Sequence, residues 1–228
     1  MRTIMVVAAH PDDPEFGVAG CVARWTEQGD QVYFVICTNG DKGSGDPDMT
    51  SERLAGIREK EELAAAQMLG VKEVLFLRHP DGDLDYTREL RGEVVRAIRK
   101  FRPDVIITSD PYRKYFWHHD HRICGQVVLD AVYPYARDRL SYPEQLKEGL
   151  TPHAVKELLL WGSDEPDTFF DITDKFDQKI AALKCHHSQV GRHAEKDLRE
   201  WVETRAREAG QKIGVQYAEQ FHRVVIPM

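Results

Sequence analysis

An excess of positive charge, paired cysteines and long apolar runs are all missing from this chain. The formal net charge is -7, which argues against nucleic acid or an anionic membrane as a partner, since both call for clustered Lys and Arg. Cys21, Cys37, Cys124 and Cys185 are scattered, with no C-x-x-C pair. They read as small core residues, and a reducing cytoplasm is the expected compartment. No run approaches the roughly 20 residues of a membrane span, and the first apolar stretch is shorter than the apolar region of a signal peptide. No Gly-x-Gly-x-x-Gly follows that stretch, so a dinucleotide-dependent dehydrogenase is set aside. Internal repeats and long low-complexity linkers are absent as well.

What remains is a chain of 228 residues, 42% hydrophobic, enough to bury a core as a single domain over residues 1–228. Residues 3–9 read as a strand and 17–28 as a helix. Gln31 to Thr38 reads as a buried strand, and Asn39 to Asp48 as a Gly-, Asp- and Ser-rich loop. A helix is expected over Ser51 to Leu69, closed by Gly70. A strand at Val74 to Leu77, a helix at Arg88 to Phe101 and a strand at Asp104 to Ser109 follow. Late strands are expected at Val155 to Trp161 and Phe221 to Ile226, and helices at Thr173 to His187 and His193 to Glu208. This alternation predicts an α/β, Rossmann-like three-layer fold with a mostly parallel sheet. The Pro- and Tyr-containing region 111–153 reads as a small insertion over the cleft.

Chemistry-bearing residues gather where two of these strands end. The run Ile4 to Ala9 leads straight into His10-Pro11-Asp12-Asp13-Pro14-Glu15-Phe16-Gly17, and the strand ending at Ser109 leads into His118-His119-Asp120-His121. Adjacent carboxylates repel unless something positive offsets them, and His with carboxylate oxygen suits zinc and similar ions. His10 and Asp13, three apart in a turn, can reach one ion. His121 would add a third ligand and leave a position for water, the ligand count of catalytic zinc. Asp12 then reads as general base, His118 as acid or oxyanion donor, and Asp120 as the group orienting His118.

The segment Ala9 to Gly17 resembles the A-H-P-D-D-x-E signature of the LmbE-like (PIG-L-type) zinc-dependent N-deacetylases. The second cluster is similar to that family's H-P-D-H, with His119 in place of proline, which makes His119 a rival to His118 as the catalytic imidazole. Further similarity lies in Arg58 with Glu61, in Pro80-Asp81-Gly82, and in His186-His187-Ser188-Gln189. The resemblance implies removal of an N-acyl group from an amino sugar or related conjugate, with Zn2+ held by His10, Asp13 and His121, and a homo-oligomeric assembly. It also implies that Arg58, Asp81 and His186 face substrate, Arg58 holding an anionic group and Asp81 a hydroxyl. The competing expectation is a non-catalytic metal- or sugar-binding protein on the same scaffold.

Overall fold

The computed structural model describes residues 1–115, 118–191 and 195–227. Its centre is β1 (Thr3–Ala8), whose side chains alternate between two cores. Ile4, Val6 and Ala8 face one core, and Met5, Val7 and Ala9 the other. A strand covered on both faces must be apolar at every position rather than at every second one, as parallel sheets require. β2 (Gln31–Thr38) obeys the same rule, with Val32, Phe34 and Ile36 on one side and Tyr33, Val35 and Cys37 on the other.

Helices α1 (Asp13–Glu27) and α2 (Ser51–Met68) cover the first face. Strand β3 (Glu73–His79) precedes α3 (Arg88–Phe101), β4 (Val105–Ser109) and α4 (His119–Asp130), and α3 and α4 cover the second face. A short α5 (Pro143–Lys147) leads to β5 (Glu157–Trp161) and β6 (Thr168–Asp171). The chain ends with α6 (Phe176–Lys184), α7 (His187–Val190), α8 (Glu195–Gln211) and β7 (Ala218–Val225). The seven strands lie in the order β3-β2-β1-β4-β5-β7-β6. Pairings from β3 to β5 are parallel, and β7 runs antiparallel to β5 and β6. None of the described helices is long and apolar enough to cross a membrane.

The predicted α/β fold is therefore present, with several boundaries moved. Helix α1 begins at Asp13 rather than Gly17. Pro14 is tolerated in a first turn because its missing N–H has no helical partner there, and Asp13 and Glu15 suit the helix's positive end. The edge strand β6, only four residues long, has too few residues to show a period. The single helix expected over Thr173 to His187 is a 3₁₀ turn followed by α6 and α7. The expected start at His193 lies outside the described residues. Region 111–153 supplies α4, whose Ile123, Cys124, Val127 and Val128 are core residues. The segment after α4 is tied to α3, because the buried Arg99 guanidinium donates to the carbonyls of Tyr135, Ala136, Asp138, Ser141 and Tyr142. All four cysteines are unbonded, three of them buried.

Strand β1 is a switch point: the chain leaves it toward β2 on one side and returns through β4 on the other. Open α/β sheets form their crevice outside the strand C-termini at such a point. Both His-Asp clusters follow strands that flank this crevice, β1 and β4.

At the opposite edge, Asp104 accepts from Thr3 N–H (3.0 Å) and Lys156 Nζ (2.7 Å), joining the starts of β1 and β5. Lys156 first, and the Thr3 N–H next, hold its carboxyl below the ordinary value. A carboxyl lowered by folding stabilises the fold above the unfolded-state range and loses that contribution as pH falls below that range, through its own lowered value. Asp104→Asn is expected to cost about 0.5–1 kcal/mol at pH 7, a small figure because water screens the pair. Urea denaturation at stepped pH checks this: the gap from wild type should persist down to about pH 4 and narrow below it, and a gap constant through that lower range would contradict it.

Candidate metal centre

At the end of β1 the backbone turns sharply. Asp12 adopts φ 100°, a left-handed conformation unusual for a residue other than glycine. Its carbonyl accepts from Glu15 and Phe16 N–H and so starts α1. That turn brings His10 and Asp13 together, and the His10 N–H donates to the Asp13 carboxylate at 2.8 Å. From the second cluster, α4 begins with His118 as N-cap, and Ser109 Oγ donates to the His121 carbonyl at 2.7 Å, pinning the first turn of α4 to β4.

The two clusters meet. His10 Nδ1 lies 3.2 Å from His121 Nε2 and 3.4 Å from Asp13 Oδ2, while His121 Nε2 is 3.0 Å from Asp13 Oδ1. Ligands about 2.0–2.2 Å from a tetrahedral ion sit at roughly such mutual distances, so these three groups fit a divalent metal by spacing and by chemistry. His118 contributes a further nearby nitrogen, within 4.8 Å of those of His10 and His121. Its ring centroid stands 4.7 Å from that of His10. His119 turns the other way, its Nε2 against the Leu84 carbonyl at 3.0 Å. Of the two rival imidazoles, His118 is the one beside the centre.

Behind the centre lies a set of buried carboxylates. His10 Nε2 is 3.0 Å from both Asp120 Oδ2 and Asp81 Oδ1. A proton held on Nε2 by these acceptors leaves the Nδ1 lone pair for an ion, the usual carboxylate–histidine–metal arrangement. Burial works against the charge of Asp120, yet hydrogen bonds from His10 and from the Gly82 and Leu84 N–H groups bring it down to about 2. Asp120, expected to orient His118, sets its carboxylate against His10 and donates its backbone N–H to His118 Nδ1 (3.2 Å). On the first turn of α4 the side chain points inward, where it is fully buried.

Asp12 is shaped by opposing influences. Burial pushes its carboxyl up to about 6, with Arg58 pulling down and Asp13 pushing up. Arg58 Nη2 lies 3.2 Å from Asp12 Oδ2 and donates to the Pro11 carbonyl at 2.5 Å. Its Nη1 donates to the Gly40 carbonyl and sits 3.6 Å from Asp81. Gly40 has φ 61°, and a Cβ there would fall 2.8 Å from the guanidinium, so both backbone and space require glycine.

The three residues expected to face substrate all lie inside. Arg58 is 4% exposed, Asp81 6% and His186 0%. Arg58 is engaged by protein carboxylates and carbonyls, Asp81 supports His10, and His186 Nε2 is 3.0 Å from Glu15 Oε2. Each of the three thus has partners among the protein's own groups. Glu61 accepts from Ser188 N–H and Oγ at 2.8 and 2.6 Å. Sequence reasoning also missed Glu62, whose Oε2 accepts the Asp12 N–H at 3.0 Å. The only signal was its place one helical turn after Arg58.

A cavity of about 740 Å³ opens beside Asp13 and His121. Its walls include Phe16, Trp161, Trp201, Arg113 and Arg205. Trp161 packs so closely on α1 that a Cβ at Gly17 would fall 2.9 Å from the indole. Sequence periodicity cannot identify these lining residues, since they come from α1, the β4–α4 loop, β5 and α8.

Comparison with known proteins agrees with this geometry. The family model described as PIG-L, GlcNAc-PI de-N-acetylase, matches residues 5–132. The chain is 32% identical over 219 residues to a diacetylchitobiose deacetylase of Thermococcus kodakarensis, covering 96% of this chain and 82% of that protein. It is 27% identical to a probable N-acetyl-alpha-D-glucosaminyl L-malate deacetylase 2 of Bacillus anthracis, over 82% of this chain and 81% of that one. Its fold superposes on the N,N'-diacetylchitobiose deacetylase of Pyrococcus horikoshii with a TM-score of 0.94 and 31% identity, covering 98% of this chain and 84% of the other.

Asp120→Asn is expected to weaken divalent-metal binding about 10- to 100-fold, the usual cost of losing a partner of a ligating histidine. Competition with a chromophoric chelator, with Zn2+ as probe, reads this directly. Unchanged affinity would remove Asp120 from the support of His10.

Proposed function

Because the chain belongs to the PIG-L family of de-N-acetylases, we propose that it is a zinc-dependent hydrolase that removes an N-acyl group, acetyl in the first place, from an amino sugar or amino-sugar conjugate. The observation that supports this most is the 3.0–3.4 Å spacing of His10 Nδ1, the Asp13 carboxylate and His121 Nε2, at the wall of a cavity. In this reading those three residues hold the metal. When bound, the ion supplies Lewis acidity at the acyl carbonyl and lowers the pKa of a water to about 7.

The chain's own groups do the rest. Asp12 is the general base and takes the proton of the attacking water; a carboxyl raised toward neutrality is suited to that task. His118 has Nδ1 occupied by the Asp120 N–H, so its neutral ring carries the proton on Nε2. That N–H is the donor for the developing oxyanion and then for the leaving amine. Water adds to the acyl carbon, the C–N bond breaks, and a carboxylate and a free amine leave. Trp161 and Trp201 offer apolar faces on which a sugar ring packs, and the cavity volume falls within the about 300–1,000 Å³ of small-molecule sites. Residues 1–228 are read as one catalytic domain in a reducing cytoplasm, in keeping with the four unbonded cysteines.

The decisive experiment measures metal content and acetate release from N-acetylglucosamine-type substrates in wild type and Asp12→Asn. About one Zn2+ per chain is expected in both, with turnover reduced roughly 10²- to 10⁴-fold in the variant. Equal turnover would sink the assignment of the base. Metal without acetate from any such sugar would favour the binding-protein alternative.

A further inference from the structure

The backbone groups of Asp12 and one carboxylate oxygen already have partners. Its carbonyl starts α1, its carboxylate pairs with Arg58, and its N–H donates to Glu62. Arg58 and Glu62 stand one turn apart on α2 and grip neighbouring groups of a two-residue stretch: Arg58 takes the Pro11 carbonyl, and Glu62 the Asp12 N–H. Between them Asp12 is held at φ 100°. For a residue with a Cβ that conformation costs of order 1–3 kcal/mol and persists only where the surroundings over-determine it.

Glu62 is itself held with unusual care. It is fully buried together with Glu15 and His186. His186 Nε2 stands 3.0 Å from Glu15 Oε2 and 3.8 Å from Glu62 Oε2. Glu15 Oε1, Glu62 Oε1 and His186 Nδ1 have no partner within the described residues. Two adjacent buried carboxyls without solvent are expensive, and core packing alone would be better served by apolar side chains of similar volume. The donor atoms of this trio also lie within 4.8 Å of one another. With no exposed surface, however, the trio offers an ion no entry.

We propose that Glu62 is a positioning residue for the general base: its carboxyl oxygen fixes the Asp12 N–H, and with Arg58 it clamps the Pro11–Asp12 peptide in the left-handed turn. The turn sets the Asp12 carboxylate beside the donor triad. The His186 ring stands behind Glu62 at 3.8 Å, and the contact of Glu61 with Ser188 ties the His186 turn to the same helix. What Glu62 supplies is an acceptor at a fixed place, so charge on it is dispensable while its reach is not. This inference rests on the reading of Asp12 as base.

The test compares Glu62→Ala, Glu62→Asp and Glu62→Gln in zinc-loaded protein, with Asp12→Asn in parallel. In Glu62→Ala, kcat should fall about 10- to 100-fold, as small displacements of a reacting group do. KM should stay within about twofold and the metal content should be unchanged. The Asp12 amide, followed by NMR hydrogen exchange, should exchange at least about tenfold faster. Glu62→Gln keeps the acceptor and should restore kcat to within about threefold of wild type. Wild-type kcat and amide protection in Glu62→Ala would overturn the proposal. So would loss of metal together with activity, or a glutamine variant as impaired as the alanine one. If the alanine variant does not fold, Glu62→Asp decides: its shortened reach should lower kcat, and a wild-type rate there overturns the clamp. An active Asp12→Asn would remove the base assignment itself, and the amide exchange of the Glu62 variants would still report on the clamp.

Discussion

Crowding of like charge at one end of the central strand is the constraint around which this structure is arranged. Asp13, Asp81 and Asp120 converge on His10 and His121, with His118 beside them and Asp12 adjoining through Arg58. In the interior such a gathering is unfavourable unless protons, cations or hydrogen bonds offset it. The chain answers with the Arg58 guanidinium between Asp12 and Asp81, and with backbone N–H groups of Gly82 and Leu84 on Asp120. A face formed by two imidazole nitrogens and a carboxylate is left with the donor set of a divalent ion. The family to which the chain belongs is in keeping with that face.

The sheet supplies the rigidity that such crowding needs. The centre grows from the ends of β1 and β4, adjacent parallel strands with apolar residues on both faces. Fully buried Val, Ile and Phe side chains contribute about 1.5–3 kcal/mol each, so a few of them outweigh a strained turn at Asp12. The two anchors differ in kind. His10 sits on a turn held from α2, whereas His118 and His121 sit on the first turn of α4, held to β4 through Ser109. The geometry of these side chains thus depends on packing between layers as well as on the loops themselves.

Much of this was legible in the sequence because the relevant signals are local. Alternation of apolar residues marked β2, the Gly70 stop marked the end of α2, and the helix from Arg88 to Phe101 has the bounds its periodicity predicts. The His-Asp motifs lay at strand ends, where open α/β sheets place their ligands. The internal partners that the sequence did not reveal have a common cause. Arg58, Asp81 and His186 carry charge or a ring nitrogen, and from sequence alone a polar side chain near a motif reads as facing the ligand. Burial is decided by what packs above it, and here they turned inward to hold other side chains. Region 111–153 read as an insertion because Pro and Tyr obscure the helical period, yet α4 within it is a layer of the core.

Residue types and their positions along the strands thus determined by themselves the α/β architecture, the chemistry of the two clusters and the pairing of His10 with Asp13. Only the tertiary structure decided that His121 closes on them and that His118 rather than His119 stands beside them. It alone decided that the Asp120 carboxylate serves His10, and that Glu62 reaches the Asp12 N–H from 50 residues away. The physical reason is range. Periodicity and turn chemistry act over a few residues and are written in the order of the chain. Burial and hydrogen-bond partnership across layers depend on which distant faces meet.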